Sequence, residues 1–171
     1  MTRVGHGFDA HRLVGGRRLV LGGITVPHER GAHGHSDADV VAHALSDALL
    51  GAAALGDLGG HFPDSDPQWK DADSIVLLEA CAARVREAGY RIVNVDATIV
   101  LERPKLAPYI GAMRERVATC LSLPLECVSI KAKTSEGMGY TGDGSGIAAF
   151  AVAAITLRGA SFDEPGTAAS G

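Results

Sequence analysis

Cysteine is scarce in this chain. Its 171 residues include three cysteines, Cys81, Cys120 and Cys127, an odd number with no C-x-x-C pair. This count argues against a disulfide framework and favours a reducing compartment. We therefore expect buried, inert thiols and a cytoplasmic protein.

The chain also lacks a block of positive charge. Its 16 lysines and arginines are scattered, and the formal net charge is −4. Nucleic acids and anionic membrane surfaces are therefore not expected as partners. A negatively charged small molecule would need a local device, such as a metal ion or a helix N-terminus, to hold it.

No hydrophobic run is long enough to cross a bilayer. The longest, IAAFAVAAITL from Ile147, has 11 residues, whereas a spanning helix needs about 20. The first residues, MTRVGHGFD, contain no apolar segment of the kind found in secretory signals. We therefore expect neither a membrane anchor nor a signal peptide.

What the chain does contain is enough apolar sequence for one core. Hydrophobic residues make up 46% of it, and the length suits a single domain. We expect that domain to span residues 1–158. Residues 159–171 have few large apolar side chains and are expected to form a disordered tail.

Alternating apolar residues predict the strands. We expect strands over 3–8, 91–102, 128–133 and 147–157, and a hairpin over 18–27 that turns at Gly22–Gly23. Residues 28–34 are expected to form a loop. In the strand over 91–102, one face carries Val93, Val95, Ala97, Ile99 and Leu101.

Helical spacing of apolar residues predicts three helices, over about 37–54, 73–89 and 107–121. Ser36 and Asp39 match a capping box at the first of them, and Asp73 is a candidate cap for the second. The segment 56–73, rich in Gly, Pro and Asp, is expected to be a long functional loop.

These elements predict an α+β fold, with a sheet of about four main strands plus a small hairpin packed on three helices. The last strand, 147–157, is apolar on both faces. We therefore expect helices to cover one face and another subunit to cover the other.

The stretch FDAHRL places an acid and a histidine two residues apart in a predicted strand. Alternate side chains of a strand share a face, so Asp9 and His11 point to the same side, as two metal ligands do. A zinc site needs at least a third ligand, and His43, flanked by small residues, is the best candidate. A histidine facing solvent or satisfied in the core is the alternative for His43.

Two further segments suit anion binding. His35 and Ser36 lie at the predicted N-terminus of the first helix, where free N–H groups attract phosphate. Glu136 lies beside Thr134 and Ser135 in the Gly-rich loop SEGMGYTGDGSG, whose backbone can approach a phosphate closely. A Gly-rich turn without a ligand is the alternative for this loop.

Five motifs then occur in one order, and together they resemble the 2-C-methyl-D-erythritol 2,4-cyclodiphosphate synthases. The resemblance covers about residues 2–158 with matching spacing. The motifs are GHGFDAH (5–11), HSDADVVAHALSDALLGAAALGDLG (35–59), FPDSDP (62–67), ERPKLAP (102–108) and KAKTSEGMGYTG (131–142).

The resemblance implies a lyase of the non-mevalonate isoprenoid pathway that cyclises 4-CDP-2-C-methyl-D-erythritol 2-phosphate and releases CMP. It implies that zinc, or another divalent transition metal, binds Asp9, His11 and His43, and that magnesium or manganese binds Glu136. His35 and Thr134 match the positions that stabilise the transition state. No side-chain nucleophile is needed, because the substrate's own 2-phosphate attacks the β-phosphorus.

The resemblance also implies a homotrimer with its sites between subunits. Residues 101–107 match a cytidine pocket supplied by the neighbouring subunit, Asp57 and Gly59 match ribose contacts, and 62–66 match a mobile loop over the methylerythritol. The substrate-binding residues expected from the resemblance and the surrounding motifs are Ser36, Asp57, Leu58, Gly59, Phe62, Pro63, Asp64, Ser65, Asp66, Leu101, Glu102, Arg103, Pro104, Lys105, Leu106, Ala107, Lys133, Ser135 and Tyr140.

The sequence departs from the family near positions 143 and 145. Some members carry an arginine and a glutamate there, which bind an isoprenoid diphosphate on the trimer axis, whereas this chain has Asp143 and Ser145. We therefore expect this chain not to bind that ligand.

Two other functions compete with the synthase. A zinc phosphoesterase would use the same three ligands to activate a water molecule. A trimeric metal-binding or scaffold protein would have a closed structural site, and the sequence has no cysteine or fourth histidine at a suitable spacing for one.

Overall fold

A computed structural model describes residues 1–63, 65–69 and 72–159. The strands are β1 (Thr2–Gly15), β2 (Leu19–Leu21), β3 (Ile24–Val26), β4 (Arg30–Ala32), β5 (Tyr90–Val100), β6 (Val128–Lys133) and β7 (Gly146–Leu157). The main sheet has the order β4-β1-β7-β5-β6, and β2 and β3 form a separate pair. Strands β5 and β6 run parallel, while β1 and β5 are both antiparallel to β7.

Three long helices and two single-turn helices complete the fold. They are α1 (Val40–Ala53), α2 (Leu58–His61), α3 (Ser74–Glu87), α4 (Ile110–Leu121) and α5 (Gly139–Gly142). Helix α1 packs on β1 and β7, α3 packs on α1 and β5, and α4 packs on α3 and β6. The α+β class is confirmed, and the main sheet has five strands because β4 pairs with the end of β1.

Glycines on β1 let α1 approach the strand closely. A Cβ atom at Gly7 would lie 1.9 Å from the carbonyl oxygen of Ala44, and one at Gly5 would lie 2.0 Å from that of Ala48. Only glycine permits this separation. The same face of β1 continues into Asp9 two residues further on. The close contact between β1 and α1 thus brings side chains of α1 next to the carboxylate of Asp9.

A buried carboxylate joins the hairpin to α1. Asp39 is the N-cap of α1, and its side chain accepts hydrogen bonds from the backbone N–H groups of Val41 and Ala42. It also accepts from Gly22 at 2.9 Å and Gly23 at 2.7 Å. The predicted glycine turn is confirmed, with both φ angles positive.

The expectation that Ser36 caps the first helix was therefore wrong, since the helix begins four residues later. Two loop expectations also need correction. Arg30–Ala32 forms β4 within the expected loop 28–34, and α2 and a 3₁₀ turn at Pro67–Trp69 interrupt 56–73. Asp57 explains α2, because its side chain accepts from Gly60 N and caps this turn.

A register shift between Ile92 and Asn94 changes which side chains face inward on β5. Ile92 is buried and Val93 only half-buried, contrary to the expected alternation. Beyond the irregularity the prediction holds, with Val95, Ala97 and Ile99 all buried. A single-residue slip moves every preceding side chain to the opposite face.

The structure tests the expectations for the cysteines and for membrane spans, but little of the expectation for the C-terminal tail. Cys81 and Cys120 are buried free thiols, as expected, while Cys127 is only half-buried. Most of the expected disordered tail, from residue 160 onward, lies outside the described residues. None of the helices in the described part of the chain has the length and apolar character to cross a membrane.

The sheet face opposite the helices carries exposed apolar side chains. On it lie Val4, Phe8, Phe150 and Val152, with 40–66% of their surface accessible, and we call this set the open sheet face. Phe8 and Phe150 are register partners whose rings lie 5.0 Å apart. The prediction that the last strand is apolar on both faces is confirmed.

Candidate active site

Three predicted ligands meet where α1 crosses β1. The Oδ2 atom of Asp9 lies 3.0 Å from His11 Nε2 and 2.9 Å from His43 Nδ1, and the two nitrogens are 3.4 Å apart. Ligands about 2.0–2.1 Å from a tetrahedral zinc ion are separated by about 3.3 Å. The three atoms therefore fit three vertices of such a site and leave the fourth open.

The electrostatics of the group suit a cation. Burial raises the pKa of Asp9, but hydrogen bonds from His11 and His43 outweigh it and hold the pKa far below the ordinary carboxyl value. Burial lowers the pKa of His43, but the hydrogen bond to Asp9 and the negative charges of Asp9, Asp39 and Asp37 together outweigh it and raise the pKa. The carboxylate is thus ionised at neutral pH, and metal binding would compete with protons on the imidazoles.

A cavity of about 250 Å³ opens beside these ligands, and we call it the metal cavity. Of the other predicted residues, those that line it are His35, Ser36, Leu58, Gly59 and Phe62. The Nε2 atom of His35 is buried and has no hydrogen-bond partner among the described residues. Since a buried polar atom without a partner is costly, this nitrogen suits a ligand oxygen.

Sequence reasoning missed Asp47 in this cavity. Asp47 follows His43 by one helical turn, and its Oδ1 accepts from Leu58 N at 2.8 Å. Burial raises the pKa of its carboxyl group. The spacing of four residues from a candidate ligand was the signal available, since such residues share a helix face.

The segment after α2 lies at the edge of the metal cavity. Phe62 is buried and its ring lies 5.0 Å from that of Trp69, another lining residue that the sequence did not single out. Pro63 and Ser65 are exposed, and Asp66 accepts from Gln68 N at 3.0 Å. The prediction for Asp64 lies outside the described residues.

A second cavity, of about 460 Å³, lies at the ends of β5 and β6, and we call it the loop cavity. Thr134 Oγ1 donates to Glu136 Oε1 at 2.5 Å beside it. The peptide bond between Arg103 and Pro104 is cis. The predicted residues that line the loop cavity are Leu101, Pro104, Lys105, Leu106, Ala107, Lys133, Thr134 and Glu136.

Within one chain the predicted site is divided. Among the described residues, none that lines the metal cavity also lines the loop cavity. Glu102 and Arg103 line a different cavity, with Asp143, and Tyr140 lines another with Arg12. Ser135 faces Thr141, with their hydroxyl oxygens 2.7 Å apart.

The first helix does not offer the expected anion site. The N–H groups of Val41 and Ala42 donate to the carboxylate of Asp39, which also brings negative charge to this helix end. His35 and Ser36 precede the helix by several residues. Their link to the metal cavity is through side chains rather than through the helix dipole.

Comparison with known proteins identifies the family. The family model described as "YgbB family" matches residues 2–156. The 2-C-methyl-D-erythritol 2,4-cyclodiphosphate synthase of Moorella thermoacetica is 58% identical, covering 91% of this chain and 96% of that protein. The protein of the same name from Salinibacter ruber is 60% identical over 90% of this chain and 98% of its own.

The fold agrees with the sequence match. A solved structure described as 2C-methyl-D-erythritol-2,4-cyclodiphosphate synthase in a CDP-bound form has a TM-score of 0.83 and 39% identity. It matches over 90% of this chain and 100% of its own. The predicted resemblance is confirmed, and the phosphoesterase alternative is not favoured. The chain belongs to the YgbB family and is a lyase of isoprenoid biosynthesis, of the cyclodiphosphate synthase class.

Proposed function

We propose that this chain cyclises 4-CDP-2-C-methyl-D-erythritol 2-phosphate to the 2,4-cyclodiphosphate, with release of CMP, at a zinc site formed by Asp9, His11 and His43. The observation that carries the proposal is the triangle of ligand atoms 2.9–3.4 Å apart in the metal cavity. One carboxylate and two neutral imidazoles would leave zinc with a net charge near +1, which attracts phosphate.

The side chains around the triangle would hold the reacting phosphates. When bound, zinc supplies positive charge that screens repulsion between the two phosphates. His35, which lines the metal cavity and has a buried Nε2 without a partner, is the proposed ligand of a phosphoryl oxygen, and the apolar side chains of Phe62 and Leu77 in the same lining are proposed to limit access of water. Holding the two ends of one substrate together replaces a side-chain nucleophile as the source of rate.

Glu136 is the proposed protein ligand of magnesium or manganese. Glu136 is exposed and has a positive backbone φ of 53°. Its carboxylate accepts a hydrogen bond from Thr134 Oγ1. An accessible carboxylate with room for water suits magnesium, which keeps several waters and also takes phosphate oxygens. Lys133, exposed at the same cavity, adds positive charge.

The complete site is proposed to lie between subunits of a homotrimer. Two observations support this: the metal and loop cavities are separate in one chain, and the open sheet face is apolar. A neighbouring copy that covers the open sheet face could bring its loop cavity, with residues 101–107 for cytidine, to the metal cavity. A cyclic assembly provides one such junction per subunit. The buried free thiols of Cys81 and Cys120 support the further proposal of a reducing, cytoplasmic location.

A phosphorus NMR time course tests the reaction. The purified protein is incubated with 4-CDP-2-C-methyl-D-erythritol 2-phosphate in ¹⁸O-labelled water, with and without magnesium. We expect a cyclic diphosphate and CMP, neither containing solvent oxygen. Incorporation of ¹⁸O would indicate a hydrolase instead.

Matched variants test the zinc ligands in the same assay. His43→Ala should lose zinc and activity while remaining folded by circular dichroism. His33→Ala is the control, because His33 is exposed and does not line the metal cavity. If His43→Ala keeps its zinc, or His33→Ala loses it, the ligand assignment is wrong.

A subunit-mixing experiment tests the shared site. His43→Ala and Glu136→Gln are each expected to be inactive, and co-refolding them in equal amounts should restore about a quarter of wild-type activity, because random mixing gives that share of junctions two intact halves. No restored activity, despite mixed oligomers shown by native mass spectrometry, would place each site within one chain.

A further inference from the structure

The ring of His43 makes contacts on both of its nitrogens. Its Nδ1 atom faces Asp9, and its Nε2 atom lies 2.9 Å from the hydroxyl oxygen of Ser74. Ser74 is the first residue of α3 and is completely buried. A helix other than the one that carries His43 therefore supports the side of the ring that faces away from the candidate metal.

Asp37 holds Ser74 in place. The hydroxyl group of Ser74 donates a hydrogen bond to Asp37 Oδ1, and the backbone N–H of Ser74 donates to Asp37 Oδ2 at 3.2 Å. Both carboxylate oxygens of Asp37 thus accept hydrogen bonds from Ser74. This pair of bonds ties the beginning of α3 to the segment just before α1.

Counting protons assigns the direction of each bond. The hydroxyl proton of Ser74 goes to the carboxylate of Asp37, which accepts it. The hydroxyl oxygen then has lone pairs left to accept from an Nε2–H group on His43. With a metal ion bound in place of the Nδ1 proton, the neutral imidazole would keep its proton on Nε2 and present the Nδ1 lone pair on the side of Asp9 and His11, as a metal ligand requires.

Ser36 is consistent with the same arrangement. Its hydroxyl oxygen accepts from Ala38 N at 3.2 Å and lies 3.3 Å from that of Ser74, to which it can donate. It is also 3.2 Å from His43 Nε2, the longer of the two contacts to that nitrogen. The three hydroxyl and imidazole protons each have an acceptor, so the network is satisfied without solvent.

We propose that Ser74 and Asp37 are positioning residues for the metal centre: they fix the tautomer and the orientation of the His43 ring and thereby strengthen metal binding. The inference rests on the proposed zinc site and extends it to residues that contact a ligand rather than the metal. Partners of this kind orient a ligating histidine and raise its basicity, and their loss costs 10–100-fold in metal affinity in known sites.

Zinc affinity of the full-length protein, measured by competition with a chromophoric chelator, tests the proposal. Ser74→Ala should raise the zinc Kd about 10–100-fold and speed metal release to a chelator. Ser74→Thr, which keeps the hydroxyl group, should restore affinity to within a few-fold. Asp37→Asn leaves Ser74 intact and removes the anionic acceptor, so it should weaken zinc binding as well.

Ser46→Ala is the matched control. Ser46 is also a completely buried serine, its hydroxyl donates to Ala42 O at 2.8 Å, and it lies on α1 three residues after His43. This variant should lose a comparable amount of thermal stability and keep wild-type zinc affinity. The control separates a general loss of packing from a loss specific to His43.

Two results would overturn the inference. One is wild-type zinc affinity in both Ser74→Ala and Asp37→Asn, and the other is a loss of zinc affinity in Ser46→Ala as large as that in Ser74→Ala. If Ser74→Ala does not fold, Asp37→Asn decides, because its side chain has the same size as that of Asp37. If the wild-type chain itself binds no zinc, the proposed metal site fails, and the positioning role fails with it.

Discussion

The metal cavity and the loop cavity are built in opposite ways. In the metal cavity, a strand, two long helices and a buried hydrogen-bond network hold the ligands, and His43 touches groups from β1 and α3. In the loop cavity, Lys133 and Glu136 are exposed side chains at strand ends and in a loop. The core of the chain holds the ligands of the metal cavity in place, whereas the charged residues of the loop cavity are exposed to solvent.

We therefore expect zinc binding in the metal cavity to depend on the packing of α1 against β1. The strongest test is Gly7→Ala, whose added Cβ would lie 1.9 Å from Ala44 O and force α1 away from β1. We expect a loss of about 3 kcal/mol or more in the free energy of unfolding, together with loss of zinc, measured by urea denaturation and metal analysis. Gly15→Ala on the same strand has open space around its Cβ position and is the control. Equal stability of the two variants would contradict the close-packing argument.

A second test concerns Asp39, the buried N-cap of α1. Burial raises its pKa from 3.8 to about 6, despite opposing backbone hydrogen bonds. Between about pH 4 and pH 6 the folded state then holds a proton that the unfolded state has released, so stability falls as pH rises, by about 3 kcal/mol in total. The contribution is fully present below pH 4 and lost above pH 6.

Urea denaturation from pH 3.5 to 7 measures this slope. Asp39→Asn cannot titrate, so the difference in unfolding free energy between it and the wild-type chain should change across the same pH range. A difference that stays constant would show that Asp39 keeps an ordinary pKa in the folded protein.

A smaller effect is expected at an exposed ion pair of the main sheet. Asp96 on β5 pairs with Lys131 on β6, and both side chains are more than 40% exposed. Exposed pairs contribute about 0–1 kcal/mol, so Asp96→Asn should lower stability by no more than that and leave zinc affinity unchanged. A loss of several kcal/mol would mean that this region is more tightly coupled to the core than its exposure indicates.

For an isoprenoid diphosphate near Asp143 we expect no binding, which is the smallest of these effects. The Asp143 carboxylate accepts from Ser145 N at 2.8 Å, and hydrogen bonds from Ser145 lower the pKa of Asp143. A fixed negative charge there repels a diphosphate. Titration calorimetry with geranyl or farnesyl diphosphate should therefore give no micromolar binding, and a measurable micromolar Kd would contradict this prediction.

The local parts of the site could be predicted because they depend on short-range periodicity. A period of two placed Asp9 and His11 on one side of β1, and a helical period placed His43 on α1. The cap of α1 was misassigned to Ser36 because Ser36 and Asp39 both match a cap, and only the structure shows that the carboxylate of Asp39 accepts from the N–H groups of Val41 and Ala42. The inward position of Ile92 was missed because a register shift leaves no mark in the pattern.

The sequence by itself determined the α+β class, the family and the three candidate ligands, since these follow from periodicity and motif spacing. Only the tertiary structure decided which distant groups meet. Ser74 reaches His43 from 31 positions along the chain, and the loop cavity stays apart from the metal cavity. Such contacts depend on how helices pack on a sheet, and that packing is set by the whole core rather than by any local segment.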